Sequence, residues 1–100
     1  MKRKGFIVPD EVLTATDINN TEKVLLCYLI NREFNSGTYE EDITQQEMAD
    51  RLHTSLVTVS KSILNLEAKG YLNTKRVKYP NNRYRNVYRT NWEKIEENGK

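Results

Sequence analysis

Apolar residues at helical spacing dominate the first part of this chain. The pattern predicts a helix from about Asn20 to Phe34, preceded by Asn19, and Glu22 stands at the spacing of a capping box. The apolar residues from Val24 to Ile30 are consecutive, so they encircle the helix and need cover on every side. A second copy of the chain could supply part of that cover, which favours a homodimer.

A second, shorter helix is predicted directly after Ile43. Thr44 can cap this helix, and Glu47 three residues later completes a T-x-x-E capping box. Its inner face is marked by Met48, Ala49 and Leu52. The pattern then breaks at His53 and Thr54, which indicates a tight turn.

A third helix is predicted from Leu56 to Lys69, with Ser55 as its N-cap and Gly70 at its end. An inner stripe with i, i+4 and i+7 spacing consists of Val59, Ile63 and Leu66. Leu64 faces outward, and only a contact with the segment that follows would account for it.

After this helix the apolar period falls to two, which is typical of strands. Residues 71–79 and 84–90 are predicted to pair as a β-hairpin, with residues 80–83 as the turn. Residues 91–97 are predicted to form a short final helix. The side chains expected to fold back from it onto the body are Trp92 and Ile95.

A turn centred on the two asparagines predicts that Tyr79 faces Tyr84 and that Lys78 faces Arg85. One face of the hairpin is then largely aromatic and the other is cationic. Like charges directly opposite each other destabilise a hairpin, so an anion lying along the cationic face would relieve the repulsion. Leu72 falls on the cationic face in this register, and a bulge or twist must turn it inward.

The order helix, helix, tight turn, helix, β-hairpin predicts a fold that is mainly α with a small β-hairpin, an α+β class. The chain has 100 residues, which predicts one domain over residues 6–97 behind a flexible basic arm at residues 1–5. The longest apolar run has seven residues, whereas a membrane span needs ~20, so no membrane is expected. The absence of a signal peptide and the single Cys27 predict a buried thiol in a cytoplasmic protein.

Charge is distributed unevenly between the two halves of the chain. Residues 1–50 carry five Lys/Arg against ten Asp/Glu, and residues 51–100 carry eleven against four. Residues 73–90 contain six basic residues and no acidic one. Such a segment in a protein of net charge +2 favours a polyanionic partner on one side, the alternative being a solvated basic hairpin.

Sequence motifs of enzymes are absent, so no catalysis, cofactor or metal site is expected. The single His53 lies in a turn and has no second histidine or cysteine nearby, which favours a turn residue. Cys27 has no base partner, which favours a core residue. The acidic stretch Glu40 to Asp42 lacks EF-hand spacing and is interpreted as a solvated loop.

Two short helices joined by a tight turn, with a basic hairpin after them, can bind double-stranded DNA through the major groove. Lys61 on the third helix can reach guanine or phosphate, and Leu56 or Val57 can touch a thymine methyl group. Arg83 near the tip of the hairpin can enter a minor groove. The predicted DNA-contacting residues are Thr44, Ser55, Leu56, Val57, Thr58, Ser60, Lys61, Asn65, Lys75, Arg76, Lys78, Arg83, Arg85 and Arg89.

Residues 43–52, 55–61 and 66–72 resemble the winged helix-turn-helix superfamily, and two motifs within them are its usual signature. They are Thr58-Val59-Ser60-Lys61, within the third helix, and Leu66-Glu67-Ala68-Lys69-Gly70-Tyr71-Leu72, which leads into the wing. Upstream, a Val-Pro-x-x-Val-Leu element at residues 8–13 and a T-E-K-x-x-L-x-Y-L helix at residues 21–29 resemble plasmid and phage replication initiators. The resemblance spans about residues 6–95 and implies a winged helix-turn-helix fold that binds DNA and dimerises.

Several biological roles are compatible with that resemblance. Related small winged-helix proteins serve as regulators, as replication proteins and as centromere-binding adaptors in plasmid partition, and an adaptor would bridge DNA to a partner protein. Replication initiators normally carry a further domain, so a repressor acting by site occupancy or a partition adaptor is favoured. A protein-docking module and an RNA-binding protein are the alternatives from other classes.

Overall fold

The computed structural model describes residues 8–36 and 43–99 of the chain. The predicted basic arm at residues 1–5 and the acidic stretch at residues 40–42 lie outside the described residues. The element order confirms a mainly α fold with one small β-hairpin. In chain order the elements are α1 (Asp10–Leu13), α2 (Asn20–Ser36), α3 (Gln45–Arg51), α4 (Leu56–Ala68), β1 (Leu72–Tyr79), β2 (Arg83–Thr90) and α5 (Trp92–Glu97).

Helix α2 forms the centre of the core. Its predicted capping box is present, because the Asn19 amide donates to Glu22 Oε1 and the Glu22 amide donates to Asn19 Oδ1, both at 2.8 Å. Five of its consecutive apolar residues are buried, namely Leu25, Leu26, Cys27, Leu29 and Ile30. As predicted, Cys27 is a core residue, and burial raises the pKa of its thiol. One chain therefore covers these five residues, whereas Val24, the first residue of the apolar run, stays exposed.

The turn between α3 and α4 is closed by two backbone hydrogen bonds. The Thr54 amide donates to the Ala49 carbonyl at 3.0 Å, and the His53 amide donates to the Asp50 carbonyl at 3.4 Å. This is the Schellman pattern, which places the residue after the helix in the left-handed region. His53 has φ 53° and occupies that position in place of glycine. It is a turn residue, as the sequence predicts.

Helix α4 begins at the predicted residue, Leu56, and ends at Ala68, one residue before the predicted Lys69, which is its C-cap. Ser55 is its N-cap and accepts a hydrogen bond from the Thr58 amide. Gly70 follows its C-cap with φ 85°, and the Tyr71 amide donates to the Leu66 carbonyl at 2.8 Å. A residue with a side chain would be strained at this φ, so glycine lets the chain leave α4 directly into β1.

The predicted register of the hairpin is wrong by one residue. Tyr79 pairs with Arg83, not Tyr84, so the loop has three residues, 80–82, rather than four. Asn81 and Asn82 both have positive φ, at 76° and 57°, which asparagine tolerates better than most residues. Two left-handed residues in succession turn the chain within this shorter loop.

The corrected register removes the expected repulsion between strands. Lys78 pairs with Tyr84, and Arg85 pairs with Val77, so neither cation has another directly opposite. Residues opposite each other share a face. Leu72 therefore shares a face with Thr90, both are buried, and no bulge is needed to turn Leu72 inward. The predicted division into an aromatic and a cationic face is also wrong, because both faces carry cations.

Helix α5 packs back onto the body, as predicted, with Ile95 fully buried. Polar contacts hold it there. The Tyr71 hydroxyl donates to Asp17 Oδ1 at 2.7 Å and accepts from Asn98 Nδ2 at 2.6 Å, while Lys94 Nζ lies 3.8 Å from Asp17 Oδ2. The Tyr71 hydrogen bond is the main reason that the pKa of Asp17 lies below its ordinary value.

Candidate nucleic-acid interface

The outer face of α4 is a narrow stripe that no other described part of the chain covers. Val57, Lys61 and Leu64 lie along it at i, i+4 and i+7 spacing and are exposed. The opposite side of the helix is the predicted inner stripe, and its three residues are at most 1% exposed. The expected contact between Leu64 and the hairpin is not found, since Leu64 is 67% exposed.

Polar groups at the start of α4 are already engaged within the protein. The Ser55 hydroxyl accepts from the Thr58 amide at 3.1 Å and lies 2.8 Å from the Thr58 hydroxyl. The first amide groups of a helix have no intrahelical acceptor, and together with the helix dipole they favour a phosphate at this end. Ser55 and Leu56 are exposed beside them.

The first turn of α3 joins α4 to the hairpin. Ser60 donates its hydroxyl hydrogen to Gln45 Oε1 at 2.6 Å, and Gln45 Nε2 donates to the Tyr88 hydroxyl at 3.1 Å. Two residues further along α3, Glu47 Oε1 lies 3.6 Å from Arg85 Nη2. One turn of α3 therefore contacts both α4 and β2.

The hairpin carries a cation–π cluster on its outer half. The Arg76 guanidinium lies 4.5 Å from the centroid of the Tyr84 ring, and Lys78 Nζ lies 6.0 Å from it. Tyr84 is half-exposed, so the ring and both cations are accessible to a partner. On the other face three cations are exposed, namely Lys75, Arg83 and Arg89.

Two further predicted contact residues, in addition to Ser55, Thr58, Ser60 and Arg85, have polar partners inside the protein. Asn65 Nδ2 donates to Glu22 Oε2 at 2.8 Å, which ties α4 to α2 and engages the amide that the sequence predicts to contact DNA. The Thr44 hydroxyl accepts from the Glu47 amide and lies 3.1 Å from Glu47 Oε1, so it serves chiefly as the cap of α3. The sequence does not predict the hydrogen bonds of Gln45 to Ser60 and Tyr88, because no local pattern shows which side chains lie next to it.

The helix–turn–helix and the first part of the hairpin match a known family. Residues 24–82 match the Crp-like helix-turn-helix domain, which is more than half of the chain. The chain belongs to the Crp-like helix-turn-helix family. It is therefore a winged helix-turn-helix protein that binds DNA, as the resemblance found in the sequence implies. No curated protein shows significant similarity to the chain.

The match does not extend to the biological role or to individual contact residues. The predicted closeness to replication and partition proteins is not confirmed, and the homodimer stays a prediction. In the described residues no helix has both the length and the apolar character to cross a membrane. Within residues 8–36 and 43–99 no cluster of three or more His, Cys, Asp or Glu could hold a metal ion.

Proposed function

We propose that this chain recognises a specific sequence in double-stranded DNA and acts by occupying it, without catalysis. In this proposal α4 enters the major groove, and the hairpin contacts the backbone and the neighbouring minor groove. Lys61 supplies hydrogen-bond donors to base edges. The remaining proposed contacts are Thr44, Ser55, Leu56, Val57, Thr58 and Ser60 on the helices and Lys75, Arg76, Lys78, Arg83, Arg85 and Arg89 on the hairpin.

The observation that carries this proposal is the joint at the first turn of α3. Ser60, which is bonded to Gln45, directly precedes Lys61 on α4. Arg85 of the hairpin is paired with Glu47, in the same turn of α3. The attachment of both elements to one helical turn supports a continuous surface of α4 and hairpin, which a duplex can contact along two successive grooves.

The proposal is tested by selecting a preferred duplex from a random pool and measuring its Kd over a range of salt concentrations. We expect a steep salt dependence, since each phosphate contact adds about 0.9 to the slope of log K against log salt. Lys61→Ala is expected to weaken the selected duplex by about 1–3 kcal/mol and to affect random DNA little. Lys75→Ala, on the exposed hairpin, is expected to weaken both alike and to reduce the slope by about one.

A matched control is Lys69→Ala, which removes the same charge from an exposed residue at the C-terminal end of α4. It should leave the preference for the selected duplex unchanged. Equal losses on selected and random DNA for Lys61→Ala would mean that α4 does not read bases. Failure to bind any duplex at low salt would refute the proposal.

For the biological role we propose a small repressor. A protein that covers its site needs no ligand or partner to block a promoter, and its DNA-binding surface alone is sufficient. We expect the protein to repress a reporter gene whose promoter overlaps the selected site. In Lys61→Ala, repression should be lost in parallel with DNA affinity.

A partition or replication adaptor that bridges DNA to a partner protein is the second candidate. One observation favours it: Val8, Leu13 and Val24 are exposed and apolar and surround a cavity of about 340 Å³ at α1 and α2. Val24→Glu should leave DNA affinity and reporter repression unchanged if occupancy is the whole action. If Val24→Glu instead loses the stable maintenance of a plasmid that carries the selected site, while its DNA affinity stays intact, the adaptor is favoured.

A further inference from the structure

Two exposed apolar side chains on α4 have no role within the fold. Val57 is 62% exposed and Leu64 is 67% exposed, the highest values of any large apolar side chain in the described part of the chain. Both lie on the outer stripe of α4, seven residues apart, with Lys61 between them. Single exposed apolar residues are common on protein surfaces. What distinguishes these two is their position on the face of α4 that is proposed to enter the major groove, where both are accessible to DNA.

The charge around this stripe favours a polyanion over the same basic surface of a second copy. Residues 52–90 carry eight Lys/Arg and a single acidic residue, Glu67. A Lys at the centre of an apolar stripe would lose its hydration in a protein interface without an acidic partner. In a DNA groove the same Lys finds acceptors on guanine or phosphate.

We infer that Val57 and Leu64 recognise the C5-methyl groups of two thymines that lie about three base pairs apart. The thymine methyl is the one apolar group that a base pair presents in the major groove. Seven residues of helix span about 10.5 Å, which equals about three base-pair rises of 3.4 Å along the duplex axis. This inference rests on the proposed function and specifies the DNA that α4 prefers, with a base read by Lys61 between the thymines.

The test uses deoxyuridine, which lacks only the methyl group of thymidine and keeps every hydrogen-bonding atom. The full chain is first used to select a duplex from a random pool, and each thymidine of that duplex is then replaced singly by deoxyuridine. We expect two positions, about three base pairs apart, at which the replacement raises Kd about fourfold, the value of one buried methyl group. Other positions should change by less than about 1.5-fold.

Variants assign each methyl group to its side chain. Val57→Ala should remove the sensitivity to deoxyuridine at one of the two positions, and Leu64→Ala should remove it at the other. The matched control is Leu13→Ala, which shortens a 52%-exposed side chain on α1 and should leave both sensitivities intact. Thermal unfolding of the variants should match the wild type, because both side chains are exposed.

The outcomes separate this inference from the proposed function. Tight binding to a selected duplex that is indifferent to deoxyuridine overturns the inference and leaves sequence-specific DNA binding intact. Sensitivity that persists in both Val57→Ala and Leu64→Ala also overturns it, since other side chains then read the methyl groups. A smaller particle mass for these variants by light scattering, with unchanged sensitivity, would assign the stripe to contacts between copies of the chain. No binding to any duplex would refute the proposed function itself.

Discussion

The joint between α4 and the hairpin can be tested through one side chain, Gln45. Gln45→Leu keeps the size of the side chain but removes the acceptor for the Ser60 hydroxyl and the donor to the Tyr88 hydroxyl. Ser60 is half-buried, so water can replace its lost partner at little cost. Tyr88 is 1% exposed, and a hydroxyl left unpaired there costs about 1–3 kcal/mol.

We therefore expect Gln45→Leu to lower the free energy of unfolding by about 2 kcal/mol, mostly through Tyr88. For a domain of this size that corresponds to a fall in Tm of about 10 °C. Urea unfolding followed by circular dichroism measures the free energy, and the m-value should stay constant if only stability changes.

The neighbouring residue provides a matched control. Gln46→Leu makes the same chemical change on the same turn of α3, but it removes only an exposed hydrogen bond from Gln46 Nε2 to Asp50 Oδ1. Its expected cost is about 0.2–0.5 kcal/mol. In addition, Tyr88→Phe should cost much less in the Gln45→Leu background than in the wild type, because the partner of the hydroxyl is already absent. Equal costs for the two leucine variants, or additive effects of Gln45→Leu and Tyr88→Phe, would refute a joint at this position.

Three further predictions concern other parts of the fold. His53→Gly is expected to raise the free energy of unfolding by about 0.5–1 kcal/mol. Glycine avoids the strain of about 1–2 kcal/mol that a side chain has in the left-handed region, but it loses more chain entropy on folding. A lower free energy of unfolding in urea would contradict this prediction. The Tyr71 hydrogen bond holds the pKa of Asp17 below its ordinary 3.8. The ionised Asp17 therefore stabilises the folded protein above pH 3.8, and this stabilisation is lost as the pH falls through the lower pKa of the folded state. The difference in Tm between the wild type and Asp17→Asn should therefore become smaller below pH 3.8, and a difference that does not change with pH would refute this role of Asp17. Tyr84→Leu should weaken DNA binding less in the Arg76→Ala background than in the wild type, whereas Tyr84→Phe keeps the ring and should bind as the wild type. Additive losses for Tyr84→Leu and Arg76→Ala would remove the cation–π contact between these two residues from the interface.

Local chemistry explains why the helices could be predicted from the sequence. Capping side chains act within one turn, so Thr44 and Ser55 indicate the starts of α3 and α4 from their immediate neighbours. Gly70 indicates the end of α4 in the same way, since few other residues accept its φ. The inner stripe of α4 follows from periodicity alone. These signals, with the basic residues of the hairpin, were sufficient for the fold class and for DNA binding.

Only the tertiary structure decided how the elements meet. The hairpin register depends on whether the loop has three or four residues, and a change of one residue in the loop shifts every pair between the strands. Lys78 and Arg85, for example, are predicted to face each other but pair with Tyr84 and Val77. The amide of Asn65 is directed to Glu22, 43 residues away, and Gln45 meets Tyr88 at the same separation. Such contacts depend on packing between distant segments, and no local pattern encodes them. Periodicity therefore determined which residues of α4 face outward, while packing determined which of its polar groups have partners inside the protein.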